Sequence, residues 1–487
     1  MRTGAWIGVL VLAAGSASCA LSHERAGAST GEPCIEDGEC GAGVCGGLGG
    51  LGAGRCTTFC AGDFDCTGGW RCATERPDPL CDCTPATERC NGGDDDCDGA
   101  IDEGGEALCE MGLSCVAGAC RCTDTTPRDT DDLDLLLMVD NSNSMSEEQA
   151  SLAAALPRLV QMLASGDSDG DGEVDFDPIE SLHIGVVTSD MGVGGHAVPT
   201  CDGARFGAMF GDDGVMITRG RTGIAGCVAT YPAIFEFRRG DDPVAFAADV
   251  SCVAQVGTGG CGFEQQLEAV LKALSPSTPT EWTRAGYVPP VFFGSTSGHG
   301  DRANAGFVRA DSVLAVVLLT DEEDCSVTNP DLFDPGSDTF SGTDLNLRCF
   351  TYPEATHPVE RYTTGIEGHG GLLGLRRDPR RLVFGLIAGI PVDALPASGA
   401  ADYDAILAHP NMMESIDPSM TTRLRPSCNV PGRGVAFAPR RMVRVAQQLD
   451  QAGAHVALGS ICDASLGSVT RALIDAVAEP LTAPRCE

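Results

Sequence analysis

The sequence predicts an α/β protein in which a doubly wound, mostly parallel sheet follows a small disulfide-rich region. Two observations predict the sheet. Short, continuous apolar runs recur along residues 132–487, as buried parallel strands do, and amphipathic helical patterns stand between them. A third observation divides the chain, because most of its 25 cysteines lie between Cys34 and Cys122.

Residues 1–19 have the layout of an export signal. Arg2 precedes the apolar run 6–15, which is too short to span a bilayer, and a segment of small residues follows. The small residues before Cys19 resemble a bacterial lipoprotein signal, in which that cysteine is acylated, although Ser16 stands where the pattern usually has leucine. We expect a chain exported to the cell surface or outer membrane, with a lipid on Cys19 as its only membrane attachment. Plain secretion, or release into the periplasm, is the alternative.

A linker at 20–33 leads to the cysteine-rich region, 34–122, which we expect to be held together by disulfides. The spacing Cys, five residues, Cys, four or five residues, Cys occurs three times, beginning at Cys34, Cys60 and Cys109. A segment so small and rich in glycine buries too little apolar area to fold unaided. Zinc is the other use of clustered cysteines, but an exported chain without paired CxxC motifs favours disulfides.

Within this region, the segment CNGGDDDCDGAIDEG (90–104) has the composition of a cation-binding loop. It combines alternating acids, a turn glycine and an aliphatic residue, which a calcium loop needs. It also resembles a metal-binding motif of bacterial surface proteins, and that resemblance implies calcium or another cation. The expected ligands are Asp94, Asp96, Asp98 and Asp102. A disulfide-bounded acidic turn is the alternative, because Gly105 stands where a closing acid is expected.

A polar linker at 123–131 precedes the first predicted strand, 133–139, and a turn with three small oxygen-bearing side chains. Asp140, Ser142 and Ser144 lie in this turn, before a helical pattern. In doubly wound sheets, ligands bind at the carboxyl ends of strands. Two hydroxyls with nearby carboxylates suit a small, hard divalent cation. The turn is therefore a candidate metal site.

The following helix contains Pro157, so we expect a bent helix rather than a lost one. After it, the loop 167–177 resembles a calcium loop in its alternating acids, its turn glycine and its aliphatic Val174, except that Pro178 replaces the closing acid. The expected ligands are Asp167, Asp169, Asp171 and Asp175, with Asp177 as a substitute for the closing acid. Because the loop joins a helix to the next strand, it should lie at the opposite end of the sheet from Asp140. A solvated acidic loop is the alternative.

Further buried strands are predicted at 182–188, 313–319 and 382–388, and crossover helices at 263–274 and 465–477. Strands separated by helical patterns are typical of parallel sheets, whose crossover connections place helices on both faces.

The Asp-x-Ser-x-Ser turn before a helix resembles the metal-ion-dependent adhesion site of von Willebrand factor type A domains. Thr258, in a glycine-rich loop, stands where that family places its metal-site threonine, and Thr188 is the rival for this role. Asp321, after the strand 313–319, stands where the family places its distal aspartate. The resemblance implies a Mg²⁺ or Mn²⁺ site formed by Asp140, Ser142, Ser144, Thr258 and Asp321.

The segment 132–487 is longer than a usual domain. The resemblance therefore implies long insertions, chiefly at 191–250, 275–312, 326–380 and 391–430. We expect the cysteines of this segment to pin the inserted loops, with Cys325 joined to Cys349.

The charge and the motifs bear on function. A net charge of -37 argues against nucleic acid as a partner and favours divalent cations. The histidines form no HExxH pair, and the G-x-S-x-G match at 27–31 lacks the strand and helix of a nucleophile elbow. We expect a non-enzymatic, exported binding or adhesion protein whose cation takes the carboxylate of an acidic residue in a protein partner. The alternatives are a metal-dependent hydrolase, with Glu322, Glu323 or Asp324 as general base, and a structural envelope protein without a ligand.

Overall fold

The computed structural model describes most of the chain after residue 131, in the segments 132–366, 370–396, 399–430, 434–463 and 466–482. Before that it describes shorter pieces: 40, 44–47, 54–61, 66, 70–74, 79–83, 86–91, 95–96, 101–102, 108, 114–116 and 119–121. The chain divides into two compact units near residue 125. The predicted signal with Cys19, and the linkers 20–33 and 123–131, lie outside the described residues. Among the described helices, none is long and apolar enough to cross a membrane.

The described residues of the first unit form three short antiparallel hairpins. They pair β1 (Val44–Gly47) with β2 (Gly54–Thr57), β3 (Arg71–Ala73) with β4 (Leu80–Asp82), and β5 (Ser114–Val116) with β6 (Ala119–Arg121). Disulfides join Cys40 to Cys56, Cys60 to Cys72, Cys66 to Cys81, and Cys90 to Cys115. Buried Trp70 packs with cysteines of this set. The prediction that disulfides hold this region together is confirmed for these cysteines.

The second unit is built on a six-stranded sheet. Its described strands are β7 (Asp132–Val139), β8 (Ser181–Thr188), β9 (Phe235–Arg238), β10 (Val313–Leu319), β11 (Leu382–Ala388), β12 (Cys428–Val430), β13 (Gly434–Ala436) and β14 (His455–Ser460). β12 and β13 form a separate hairpin, and the other six form one sheet in the order β14-β11-β10-β7-β8-β9. All neighbours in that sheet are parallel except β9, which runs antiparallel to β8.

Four strands of this sheet confirm the sequence prediction to within one residue at each end: β7, β8, β10 and β11. Their side chains are buried on both faces, which explains the continuous apolar runs. β9 was not predicted. It has four residues at the sheet edge, with Phe235 and Phe237 buried and Glu236 and Arg238 exposed, so its signal is brief.

Helices cover both faces of the sheet. The α-helices are α1 (Ser146–Ser165), α2 (Gly207–Phe210), α3 (Pro243–Ala254), α4 (Gln266–Leu274), α5 (Arg348–Thr351), α6 (Tyr403–Ala408), α7 (Arg440–Gln451) and α8 (Gly467–Thr482). One hydrophobic cluster joins α1, α3 and α8 to side chains such as Leu135 and Leu137 of β7. The other joins α4 and α7 to the alternate β7 side chains Leu136 and Met138. The helix through Pro157 is retained, as predicted.

The predicted insertion at 191–250 is wrong in part, because it includes β9 and most of α3, which belong to the sheet and to its covering layer. The other predicted insertions hold mainly short 3-10 helices: Phe293–Ser295, Pro330–Phe333, Leu345–Leu347, Pro353–Ala355, Val359–Arg361, Leu372–Leu375, Pro379–Arg381, Val392–Ala394 and Pro410–Met412. Disulfides pin these segments, and the predicted pair Cys325–Cys349 is confirmed. The other pairs in this unit are Cys201–Cys261, Cys227–Cys252 and Cys428–Cys462.

Candidate metal site

The Asp140 turn lies at the centre of the sheet, at the carboxyl ends of β7 and β10. β7 pairs with β8 on one side and with β10 on the other. The strand order therefore reverses its direction between β7 and β10. Ligands of doubly wound sheets bind at such a switch point. Val139 pairs with Leu319, and the Asp140 amide donates to the Leu319 carbonyl at 3.0 Å. Asp140 and Asp321 therefore follow strand ends that lie level with each other.

Hydroxyl and amide donors surround the carboxylate of Asp140, which is fully buried. Oδ1 accepts the Ser142 amide at 2.8 Å and the Ser189 hydroxyl at 3.3 Å, and Oδ2 accepts the Thr320 hydroxyl at 2.6 Å. The Ser142 and Ser144 hydroxyls lie 3.4 Å apart. Burial raises the pKa of Asp140, while the bonds from Thr320 and Ser142 lower it. These donors orient the carboxylate without neutralising its charge.

The loop that carries Thr258 is tied to the Asp140 turn through Gln149 of α1. The Gln149 amide nitrogen donates to the carbonyls of Asp140 and Gly257 at 2.8 and 2.9 Å, and its oxygen accepts the Gly257 amide at 3.0 Å. The Gly260 amide donates to the Asn141 carbonyl, and a Cβ on Gly260 would come within 2.2 Å of the Asn141 side chain. Only glycine permits this approach. Half-buried Thr258 is thereby held beside the turn.

Thr188 is the alternative to Thr258 as the metal-site threonine, but its hydroxyl is bonded elsewhere. Its hydroxyl donates to Asp212 at 2.8 Å, so its proton is committed to a carboxylate outside the Asp140 turn. The residue that reaches Asp140 from the end of β8 is Ser189 instead.

Asp321 is the least satisfied acid of the site. It is 1% exposed, and neither of its carboxylate oxygens accepts a hydrogen bond of regular geometry from the described residues. Burial, followed by the charge of Asp140, raises its pKa to about 7, and the nearby Ser144 hydroxyl partly opposes this shift. A buried, unpaired carboxylate is costly unless a cation or a proton neutralises it.

Two further acids share this environment. Glu264 precedes α4, and burial together with the charges of Asp140 and Glu322 raises its pKa well above the usual range. Glu322 behaves in the same way through burial and the charges of Asp321 and Asp140. Both line a cleft of about 470 Å³ beside the site.

Three buried acids elsewhere in this unit have arginine partners. Asp134 receives Arg309 at 2.7 Å, Glu268 receives Arg361 through two bonds of 2.8 Å, and Asp324 receives Arg441 at 3.2 Å. Within the described residues, no arginine, lysine or histidine forms an ion pair with Asp140, Asp321, Glu264 or Glu322. These three acids therefore have a cationic side chain of the chain beside them, whereas the acids around Asp140 have none among the described residues.

The second predicted site, the loop 167–177, brings three of its acids together. One carboxylate oxygen from each of Asp167, Asp169 and Asp175 lies within 4.8 Å of the others. Asp171 remains outside this group, and its Oδ1 accepts the amide of Glu173 at 2.8 Å. Backbone and hydroxyl donors orient the carboxylates: Asp167 accepts the amides of Gly170 and Gly172, and Asp175 accepts the Ser168 amide and hydroxyl. The Ser168 bonds lower the pKa of Asp175.

One detail of this loop prediction is wrong. In a calcium loop the aliphatic residue anchors the loop, but Val174 is 66% exposed, and the buried anchor is Phe176, which is 3% exposed. The expected position at the opposite end of the sheet from Asp140 is confirmed, because the loop precedes the amino end of β8 and β8 is parallel to β7.

The third predicted site lies only partly within the described residues, which include Asp96 and Asp102 but neither Asp94 nor Asp98. The amides of Asp96 and Asp102 donate to Glu88, and Asp102 Oδ1 accepts the Asn91 amide at 2.8 Å. Asp102 also lies near Cys90 and Cys115. Those cysteines form a disulfide and so offer no thiolate to a metal. The same holds for the neighbouring group of Cys60, Cys66 and Cys81.

Sequence reasoning missed three groups at the Asp140 site: Ser189, Gln149 and Glu264. Ser189 could have been found, because it follows a predicted strand as Asp140 does. Gln149 and Glu264 could not, because their roles depend on how distant loops pack. Comparison with protein-family models, with curated proteins and with solved structures found no match for this chain.

Proposed function

We propose that this chain is an exported binding protein of the von Willebrand factor type A kind, in which a divalent cation at Asp140 and Asp321 takes a carboxylate from a protein partner. The observation that carries the proposal is Asp321, with two buried oxygens that accept no regular hydrogen bond. Bound cations remove the cost of such a group. The order of the sheet, with its single antiparallel edge strand, is consistent with the resemblance seen in the sequence.

The donor set fits Mg²⁺ or Mn²⁺, which take oxygen ligands from few protein groups and keep coordination positions for water or substrate. Asp140 and Asp321 would supply carboxylate oxygens. The remaining expected ligands, Ser142, Ser144 and Thr258, are neutral hydroxyls. An ion held in this way retains an attraction for one more carboxylate, which an acidic side chain of the partner would supply.

Calorimetric titration of the full chain with Mg²⁺ and with Mn²⁺ tests the cation site. Asp321→Asn keeps the side-chain shape but removes the charge, and we expect it to abolish binding of both ions. Asp190→Asn is the matched control, because Asp190 is also buried after a strand of the same sheet and has one oxygen, where Asp321 has two, without a hydrogen bond. It should bind as the wild type does. Equal loss in both variants, or no binding by the wild type, would contradict the proposal.

Partner capture tests the second half of the proposal. Wild-type protein and an Asp140→Ala variant should be compared as baits, each with Mg²⁺ and with chelator. Asp140 is fully buried, so the melting curve of the variant is compared with that of the wild type to show that it remains folded. We expect a protein retained only by the wild type and only with the ion, and its affinity should fall when one of its acidic residues is replaced.

The cleft beside the site favours a second candidate function, a metal-dependent hydrolase. Glu264 and Glu322 line it with raised pKa values, and carboxyls of that kind in a cleft are candidates for general acid or base work. An ester, amide and phosphoester panel with Mg²⁺ separates the two functions. Turnover that Glu322→Gln abolishes without loss of ion binding would favour the enzyme.

Two accessory features complete the proposal. The disulfides of both units are consistent with an oxidising, extracellular location. We propose Ca²⁺ for the loop 167–177 and for the segment 90–104, where the described acids Asp96 and Asp102 would contribute, and acylation of Cys19 as the membrane attachment.

A further inference from the structure

The chain has a single lysine, Lys272, and the structure buries it beside a cavity. The chain has 32 lysine and arginine residues in total, and all except Lys272 are arginines. Lys272 lies in α4 with 1% of its side chain exposed. The cavity, of about 290 Å³, lies between α4 and the segments 191–194, 291–294 and 327–333. We call it the Lys272 cavity, and it is separate from the cleft beside Asp140.

The ammonium group of Lys272 has one donor to spare. It donates to Asp213 and, at 2.8 Å, to the Thr296 hydroxyl. A protonated lysine carries three N–H donors, and no described residue accepts the third. Asp213 also contacts the His299 ring at 3.0 Å. Its backbone φ is 59°, a left-handed conformation that a non-glycine residue adopts at a cost.

His357 is the second basic polar group of the cavity. It lines the same cavity, and its Nε2 lies 3.9 Å from Glu268, too far for a hydrogen bond. Burial lowers the pKa of His357, which favours a neutral ring. Glu268 itself is satisfied by Arg361 through two bonds of 2.8 Å. Both acids that line the cavity, Asp213 and Glu268, are thus already paired with a cationic side chain, and Lys272 and His357 are its basic groups.

Phenylalanine rings form a large part of the apolar wall. The Lys272 ammonium lies 5.4 Å from the ring centre of Phe292 and 5.8 Å from that of Phe210. Phe293 and Phe333 line the cavity as well. At its mouth Val291 is 65% exposed and Phe293 is 42% exposed, although both are apolar. Ligand pockets combine such walls with a few convergent polar groups.

We infer that the Lys272 cavity binds a small, neutral, planar aromatic molecule that carries a hydrogen-bond acceptor such as a carbonyl oxygen. The acceptor meets the free N–H of Lys272, and the ring packs between the phenylalanines. The charges of the cavity already cancel in pairs, so a charged ligand would lose its hydration without gaining a counter-ion. The volume limits the ligand to about one ring with a short substituent.

The single lysine makes the test direct, because ¹³C-labelled lysine labels only this residue in the full chain. Benzamide is the probe, and we expect a saturable shift of the Lys272 Cε signal with a Kd of about 0.1 to 1 mM, ordinary for nine non-hydrogen atoms. Toluene lacks the acceptor, cyclohexanecarboxamide lacks the aromatic ring and benzoate carries a charge. Each should bind at least about tenfold more weakly.

Two exposed valines of one loop provide matched variants. Val291→Trp places bulk at the mouth and should weaken benzamide binding at least about tenfold. Val288→Trp, at a position that is 42% exposed and does not line the cavity, should leave it unchanged. The inference is overturned if benzamide leaves the lysine signal unmoved, if both variants behave alike, or if toluene, cyclohexanecarboxamide or benzoate binds as tightly as benzamide. None of these outcomes depends on whether the Asp140 site holds a cation.

Discussion

Hydroxyl groups rather than cations surround the carboxylate of Asp140. Thr320 and Ser189 donate to its two oxygens, and the Ser142 amide completes the set. Donors of this kind fix the direction in which a carboxylate points. Removing such a supporting bond from a metal ligand typically lowers the affinity for the metal. The pattern differs from that of Asp134, whose charge is met directly by Arg309.

Thr320→Val tests this orienting role. The substitution keeps the side-chain shape and removes the 2.6 Å bond to Asp140. We expect Mg²⁺ affinity, measured by calorimetry, to fall about 10- to 100-fold. Thr188→Val is the matched control, because Thr188 is equally buried at a strand end but donates to Asp212. If Thr188→Val weakens Mg²⁺ binding more than Thr320→Val does, then Thr188 rather than Thr258 is the metal-site threonine.

The buried carboxyl of Asp190 should make the stability of the folded protein depend on pH. Burial, with a contribution from Asp212, raises its pKa to about 6 from 3.8. The folded state therefore binds this proton more tightly than the unfolded state does. Its contribution to stability is full below pH 3.8 and is lost as the pH rises through about 6. We expect Asp190→Asn to melt near the wild type at about pH 4 and above it at about pH 8.

Melting curves of the two proteins across that range provide the measurement. The difference should be the same with chelator and with Mg²⁺, because Asp190 is not one of the expected ligands. A constant difference at all pH values would show that the Asp190 proton does not distinguish the folded state.

Elements buried on both faces were predictable, and elements at the edge were not. β7, β8, β10 and β11 each form a continuous apolar run, which few other structures produce. β9 and α3 were assigned to an insertion. α3 nevertheless carries a readable start, because Asp242 caps it by accepting two amides and Pro243 occupies its first turn. Asp140 and Asp321 were predictable for the same reason as their strands, since each follows a buried run.

The loop between α1 and β8 predicts a calcium-dependent melting temperature. An ion that binds only the folded state stabilises it by mass action, so a calcium chelator should lower the melting temperature of the wild type. Asp169→Ala should abolish this sensitivity, because Asp169 belongs to the group of three carboxylates. Asp171→Ala removes an acid of the same loop outside that group and should retain it. A wild-type curve that chelation does not change would indicate a plain acidic loop.

The two units achieve stability by different means. The first has disulfides and hairpins of three or four residues per strand, and the second combines its disulfides with a sheet that packs between two hydrophobic clusters. Composition predicted this division, because cysteine density falls as apolar runs begin. Disulfide partners in the first unit were not predictable, since spacing alone allows many connectivities. In the second unit the predicted pair Cys325–Cys349 joins two cysteines that follow each other directly in the order of cysteines along the chain.

The cellular location of the whole chain can be tested at Cys19, the predicted site of acylation. If Cys19 is acylated, Cys19→Ala should move the protein from the membrane fraction to the soluble fraction in a fractionated cell extract, because a lipid chain is the expected attachment. Cys486→Ala, at the other end of the chain, is the control and should leave the distribution unchanged. A soluble wild type, or a membrane-bound Cys19→Ala variant, would exclude the lipid.

The level pairing of β7 with β10 has a consequence for the order of folding. The Thr320 hydroxyl bonds to an Asp140 that lies 180 positions earlier in the chain. Contacts of such long sequence separation form late, because loop closure must precede them. A cation that requires both Asp140 and Asp321 therefore cannot nucleate folding and can bind only after the central strands have met. In a refolding experiment, Mg²⁺ should leave the folding rate unchanged and slow unfolding, as expected for an interaction absent from the transition state.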